Sequence, residues 1–127
     1  MAETGTPAAK NPAKTPKTLF QKIIDRELPG KFVYEDDQCV AIEDINPGAP
    51  MHLLVIPRKP MPRLVDAVPE DQALLGHLLL VANRLAVDKG HGEAFRVVIN
   101  NGATAGQSVF HLHVHVLAGR PFHWPPG

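Results

Sequence analysis

The chain has 127 residues, the size of one domain. Thirteen Lys and Arg balance thirteen Asp and Glu, so no net basic field exists to hold a nucleic-acid duplex or an anionic membrane. The single cysteine, Cys39, excludes an intrachain disulfide framework and a Cys-based zinc site, and no apolar run approaches the length of a membrane span.

Residues 1–17 hold no Leu, Ile, Val or aromatic, and they carry Pro7, Pro12 and Pro16. Such a segment buries too little to offset its ordering and reads as a disordered tail, with the domain proper over 18–127. Lys10, Lys14 and Lys17 against Glu3 make it basic, but it has neither the apolar stretch of a secretory signal nor the Arg of a mitochondrial presequence. Thr18-Leu19-Phe20-Gln21 predicts a helix opened by a capping box and ended at Pro29-Gly30. Strands are predicted over about 32–36, 39–44 and 51–58, with a turn cluster at Asn46-Pro47-Gly48-Ala49-Pro50. Pro69-Glu70-Asp71 starts a long helix over 69–89, with an apolar stripe of Leu74, Leu75, Leu78, Leu79, Ala82, Leu85 and Ala86. Two more strands are predicted over 95–101 and 109–117. Short hairpin-type links favour an antiparallel sheet, hence an α+β domain of five strands and two helices.

The stretch Val109-Phe110-His111-Leu112-His113-Val114-His115-Val116-Leu117 carries the chemistry. Strand side chains alternate faces, so Phe110, Leu112, Val114 and Val116 form an apolar face and His111, His113 and His115 line the other. Three crowded imidazoles disfavour joint protonation, so at least one is neutral at pH 7 and able to act as nucleophile, base or metal ligand. Two chemistries follow. A His-x-His pair joined by His52 or His123 would hold zinc, although only Glu93 supplies a carboxylate beyond His91 to orient such ligands. Alternatively, Asn100-Asn101-Gly102-Ala103-Thr104-Ala105-Gly106-Gln107-Ser108 offers backbone amides and short donors to a phosphate, and a histidine attacks phosphorus.

His111-Leu112-His113-Val114-His115 with its apolar followers resembles the histidine triad motif. Glu35-Asp36-Asp37, Asp44-Ile45-Asn46-Pro47 and Pro50 to Pro57 are similar to the same superfamily. The ending His123-Trp124-Pro125-Pro126-Gly127 resembles its Hint branch, the histidine triad nucleotide-binding proteins that act as purine nucleoside phosphoramidases. The resemblance covers about residues 18–127. It implies hydrolysis of the P–N bond in AMP-amine compounds, and of acyl-adenylates, through a nucleotidyl-histidine and without a cofactor or metal. It implies His113 as nucleophile, His115 as donor to the phosphate or leaving group, and His111 and His52 in support. The main-chain carbonyl of His111 would fix the tautomer of His113. Asn100, Gly106, Gln107, Ser108 and Val109 would surround the phosphate, Asp44 would accept the ribose hydroxyls, and Phe20, Ile23 and Ile45 would wall the base. Phe20 and Ile23 as plain core, and Asp44 as a plain turn residue, stay open beside those roles. The resemblance further implies a cytoplasmic or nuclear homodimer whose two sheets join through the helix 69–89 and the strand 95–101, with Trp124 reaching the partner's leaving-group site. A His-site metalloenzyme and a nucleotide-binding scaffold with little turnover are the other classes consistent with these residues.

Overall fold

A computed structural model describes residues 16–127. The expected tail therefore lies outside the described residues up to position 15. Its last residue, Lys17, belongs to the domain: its ammonium pairs with Asp25 at 2.8 Å and with Glu27.

The α+β expectation holds. Five antiparallel strands lie in the order β1-β2-β3-β5-β4: β1 is Phe32–Glu35, β2 Cys39–Glu43, β3 Met51–Pro57, β4 Phe95–Val98 and β5 Val114–Ala118. Helix α2, Gln72–Asp88, covers one face, and helix α1, Leu19–Ile24, covers the other. The alternation of strand side chains sorts the residues. Cys39, Ala41, Met51, Leu53, Val55, Val114, Val116 and Ala118 meet α2. Val40, Ile42, Leu54 and Ile56 meet Phe20, Ile23 and Ile24 of α1.

Several boundaries differ from the sequence expectation. Thr18 does cap α1, its oxygen accepting from the Gln21 amide at 3.0 Å. The Gln21 side chain, however, donates forward to Asp25 at 3.1 Å, so no capping box closes. The helix ends at Ile24, well before Pro29, because Arg26 turns left-handed at φ 63°. Pro69–Asp71 is a separate 3-10 turn leading into α2. Within α2, Val81 packs inward with Leu78, Ala82, Leu85 and Ala86, whereas Leu79 faces out. β4 stops at Val98.

The largest difference is at β5, which begins at Val114 and not at 109. Its partner β3 ends in Pro57, which has no N–H to give a ladder. The Pro57 carbonyl instead accepts from His111 Nε2 at 2.8 Å, and the Leu112 amide donates to Met61. Facing alternation still holds back to Leu112 and His113. It fails at Phe110, which is 43% exposed and not part of the apolar face.

Candidate functional site

The site forms where β3 and β5 pair beneath α1. His52 lies opposite Leu117 and His115 opposite Leu54, so both imidazoles emerge on the α1 face. Their rings approach to 5.2 Å, and the rings of His113 and His115 to 5.0 Å. Phe20 of α1 stands edge-on to His113, centroids 4.8 Å apart at 81°. His113 is thus a buried group, only 6% exposed, rather than the open surface imidazole that a bare strand face suggests.

Hydrogen bonds assign the ring protons of His52, His111, His113 and His115. The His111 carbonyl lies 2.8 Å from His113 Nδ1; a carbonyl only accepts, so that nitrogen carries the proton and Nε2 keeps its lone pair. The expected role of the His111 main chain is therefore visible in the geometry. The Gly48 amide donates to His52 Nδ1 at 2.9 Å. His52 then holds its proton on Nε2 and donates to His115 Nδ1 at 2.9 Å. His115 in turn carries its proton on Nε2. The two neighbouring rings present opposite faces of the same chemistry: a lone pair on His113 and an N–H on His115.

The His111 side chain is turned away from this pair. Its Nε2 donates to Pro57, and its Nδ1 lies 3.3 Å from the Thr18 hydroxyl. Its side chain thereby anchors the loop before β5 to β3 and α1, while only its carbonyl serves His113.

Burial lowers the pKa of His111, His113 and His52 from the ordinary value of 6.5. For His115, burial and the neighbouring His113 and His52 push it down to about 4. All four rings are neutral at pH 7, so the tautomers above are the working state.

Asp44 supplies the carboxylate that the sequence around the triad lacked. It follows β2, its amide donates to the His52 carbonyl, and its Oδ2 lies 3.3 Å from His52 Nε2. Its Oδ1 accepts from the Asn46 amide at 2.8 Å, which makes it a turn residue as well. A cavity of about 450 Å³ lined by Asp44, His52, Met51, Leu53, Lys89 and His91 adjoins this end of the sheet but is not lined by His111, His113 or His115.

The other expected contacts divide. Phe20 and Ile23 are core residues, with Phe20 also touching the site. Ile45, next to Asp44 in the chain, is 86% exposed. The 100–109 loop folds around Gln107. That side chain is buried: its carbonyl oxygen accepts from the Gly102 amide, and its amide nitrogen donates to Pro62 and Val109. The Gln107 side chain thus holds the loop together. Asn100 lies against Gly106, where φ is +100° and a Cβ would sit 3.6 Å from its Nδ2. Ser108 is exposed, and Val109 packs against the α1 core. Trp124 is 84% exposed.

Among the described residues, two clusters have the donor types to hold a metal ion: Asp44, His52 and His115, and, on the α2 face, Asp36, Cys39 and His77. In the first, His52 and His115 already spend their facing nitrogens on each other. The second was not visible as a cluster in the sequence, its members being up to 41 positions apart. Asp36 there accepts from Tyr34, His77 and the amides of Gln38 and Cys39. Burial alone would raise its pKa, but these donors outweigh it and hold the carboxyl well below the usual range. Burial pushes the Cys39 thiol up to about 12, away from the thiolate a metal needs.

Among protein families, the HIT domain matches residues 25–122. The chain belongs to the HIT family. It is 64% identical to an uncharacterized HIT-like protein of Synechocystis over 87% of this chain and 96% of that one. A HIT family hydrolase from Legionella pneumophila superposes with a TM-score of 0.86 at 42% identity, covering 87% of this chain and all of the other. A hypothetical histidine triad nucleotide-binding protein from Sulfolobus tokodaii gives 0.72 at 37% identity, over 84% and 71% of the two chains. The HIT fold of this chain is thus that of HIT family hydrolases. No helix among the described residues is long and apolar enough to cross a membrane.

Proposed function

We propose that this HIT protein is a purine nucleoside phosphoramidase that works through a nucleotidyl-histidine and without a metal. The observation that carries the reading is the pairing of opposite tautomers on His113 and His115. His113 Nε2 attacks the α-phosphorus of an adenosine or guanosine phosphoramidate, and the P–N bond to the amine breaks. The amine leaves with the proton from His115 Nε2. Water then attacks the nucleotidyl-imidazole, its proton returns to His115, and the nucleoside monophosphate departs. The Sulfolobus relative, named for nucleotide binding, and the Legionella hydrolase support the substrate class and the reaction type. The 100–109 loop would position the phosphate, Asp44 the ribose, and Phe20 and Ile45 the base. Mass spectrometry after a brief reaction should find an AMP adduct on His113; an adduct elsewhere, or none during turnover, overturns the reading.

The same reading includes a homodimer. β4 is an edge strand, and Val97 on it and Leu79, Leu80 and Val87 on α2 are exposed apolar residues. Joining two such edges would carry each Trp124 toward the other site.

Asp44→Ala should weaken ribonucleotide binding by about 1.5–3 kcal/mol, the worth of hydrogen bonds to a charged group, and erase the preference over 2′-deoxy analogues. Calorimetric titration of both nucleotides checks this. Equal losses for the two would leave Asp44 only its turn and its contact with His52.

Of the two donor clusters, the Asp44, His52 and His115 trio is the one at the histidine site, and it favours a metalloenzyme. A cation there would have to break the His52–His115 hydrogen bond and free the proton between them. EDTA should therefore leave the rate unchanged. A rate lost to chelator and restored by stoichiometric zinc would replace the nucleophilic reading with the metal one.

A further inference from the structure

The turn before β3 and the chain leaving β5 touch at two points. Gly119 passes so close to Pro50 that a Cβ on it would lie 2.8 Å from the proline Cβ, and its φ of +100° suits glycine. One residue on, Arg120 Nε donates to the Gly48 carbonyl at 2.9 Å. The same guanidinium donates to Pro121 at 2.8 Å and lies 4.3 Å from the centre of the Phe122 ring. Gly48 is exposed and has no side chain of its own to fix it. Its amide nevertheless sets the first tautomer of the relay, at His52 Nδ1.

We infer that Arg120 is a positioning residue, holding Gly48 so that the relay from its amide through His52 keeps the proton of His115 on Nε2. The relay has two senses. With the Gly48 amide on His52 Nδ1, His52 donates and His115 shows an N–H to the site. If the amide swings away, His52 can carry its proton on Nδ1 and accept at Nε2 from His115 Nδ1–H. His115 then shows a lone pair, and the donor to the leaving group is gone with no atom added or lost. His113 is untouched by this reversal, because its own tautomer depends on the His111 carbonyl.

The inference rests on the phosphoramidase reading only for its kinetic consequence. The test uses the full chain with isotope-labelled histidine, as wild type and as Arg120→Met. Arg120 is exposed, so its loss leaves the core intact. Two-bond proton–nitrogen spectra of the imidazoles should show His52 and His115 as Nε2–H tautomers in the wild type and as mixtures in the variant, with His113 unchanged in both. Losing one hydrogen bond should lower turnover of an alkylamine phosphoramidate roughly three- to tenfold, while the p-nitrophenyl ester of AMP, whose leaving group needs no proton, keeps its rate. Unaltered His52 and His115 tautomers, or an equal loss with both substrates, would overturn the inference. A wild type that cleaves no phosphoramidate defeats the proposed function, and the spectra still decide the role of Arg120.

Discussion

His113→Ala should lose turnover of adenosine phosphoramidates by several decades, on the scale seen when one member of a nucleophilic unit is removed. The attacking nitrogen disappears, and no neighbour replaces it: His115 offers a proton at that position, and the His111 ring faces Pro57 and Thr18. The variant also has a structural cost. His113 is buried against Phe20 and gives its Nδ1 proton to the His111 carbonyl, so Ala leaves a cavity and an unpaired acceptor worth about 1–3 kcal/mol. The measurements are single-turnover kinetics, AMP titration and a thermal melt on the same preparation. AMP binding should survive, because Asp44 and the 100–109 loop stay in place. Substantial turnover by a pure, folded variant would exclude His113 as nucleophile.

Acid should unfold this protein earlier than its carboxylates require. His52, His111, His113 and His115 all have folded pKa values below the ordinary 6.5, His115 at about 4. Above 6.5 the folded and unfolded chains bind the same protons at these sites, and stability does not depend on them. As pH falls below 6.5, the unfolded chain takes up protons that the folded chain refuses, and stability declines down to the folded values. Below that window, loss of the well-bonded Asp36 carboxylate adds to the decline. The melting temperature should drop by roughly 5–10 °C from about pH 7.5 to about pH 4.5. Calorimetry across that range checks it, and His115→Gln should flatten the slope. A melting temperature constant across the window would show that the rings titrate normally in the fold.

The strands and the long helix were legible because each carries its own signal: short apolar runs bounded by turn residues in 39–43 and 51–57, alternation in 114–118, and the α2 stripe. What the sequence hid were contacts that end an element. Nothing local says that Pro57 would spend its carbonyl on His111 and cut β5 short, or that Arg26 would turn α1 off early. The cluster of histidines was legible as a motif, since His111, His113 and His115 sit together in the chain. The direction of each ring proton was not. It depends on the Gly48 amide, 67 positions from His115, and on a main-chain carbonyl that only the fold orients. Asp44 was legible as a turn residue from Asn46-Pro47, and its approach to His52 came with the β2–β3 pairing. Gln107 was legible as one amide in a polar loop; its burial and its bonds to Gly102, Pro62 and Val109 were not.

The two faces of the sheet are held unequally. Among the described residues, the buried cluster on the α2 face has 15 members, α2's own included, and that on the α1 face has seven, α1's own included, under a helix of only six residues. So thin a cover has the smaller free energy of detachment, and the site lies under it. Backbone amides of α1 should exchange with solvent in brief excursions while those of β3 and β5 wait for global unfolding. Each excursion lifts Phe20 off His113 and frees Thr18 from His111, unroofing the imidazoles without disturbing the strands that aim them. A ligand of these imidazoles would thus enter and leave through breathing of the first helix, and anything that ties that helix to the sheet, such as the ion pair of Arg26 with Glu35 of β1 at 2.6 Å, would govern how often the door opens.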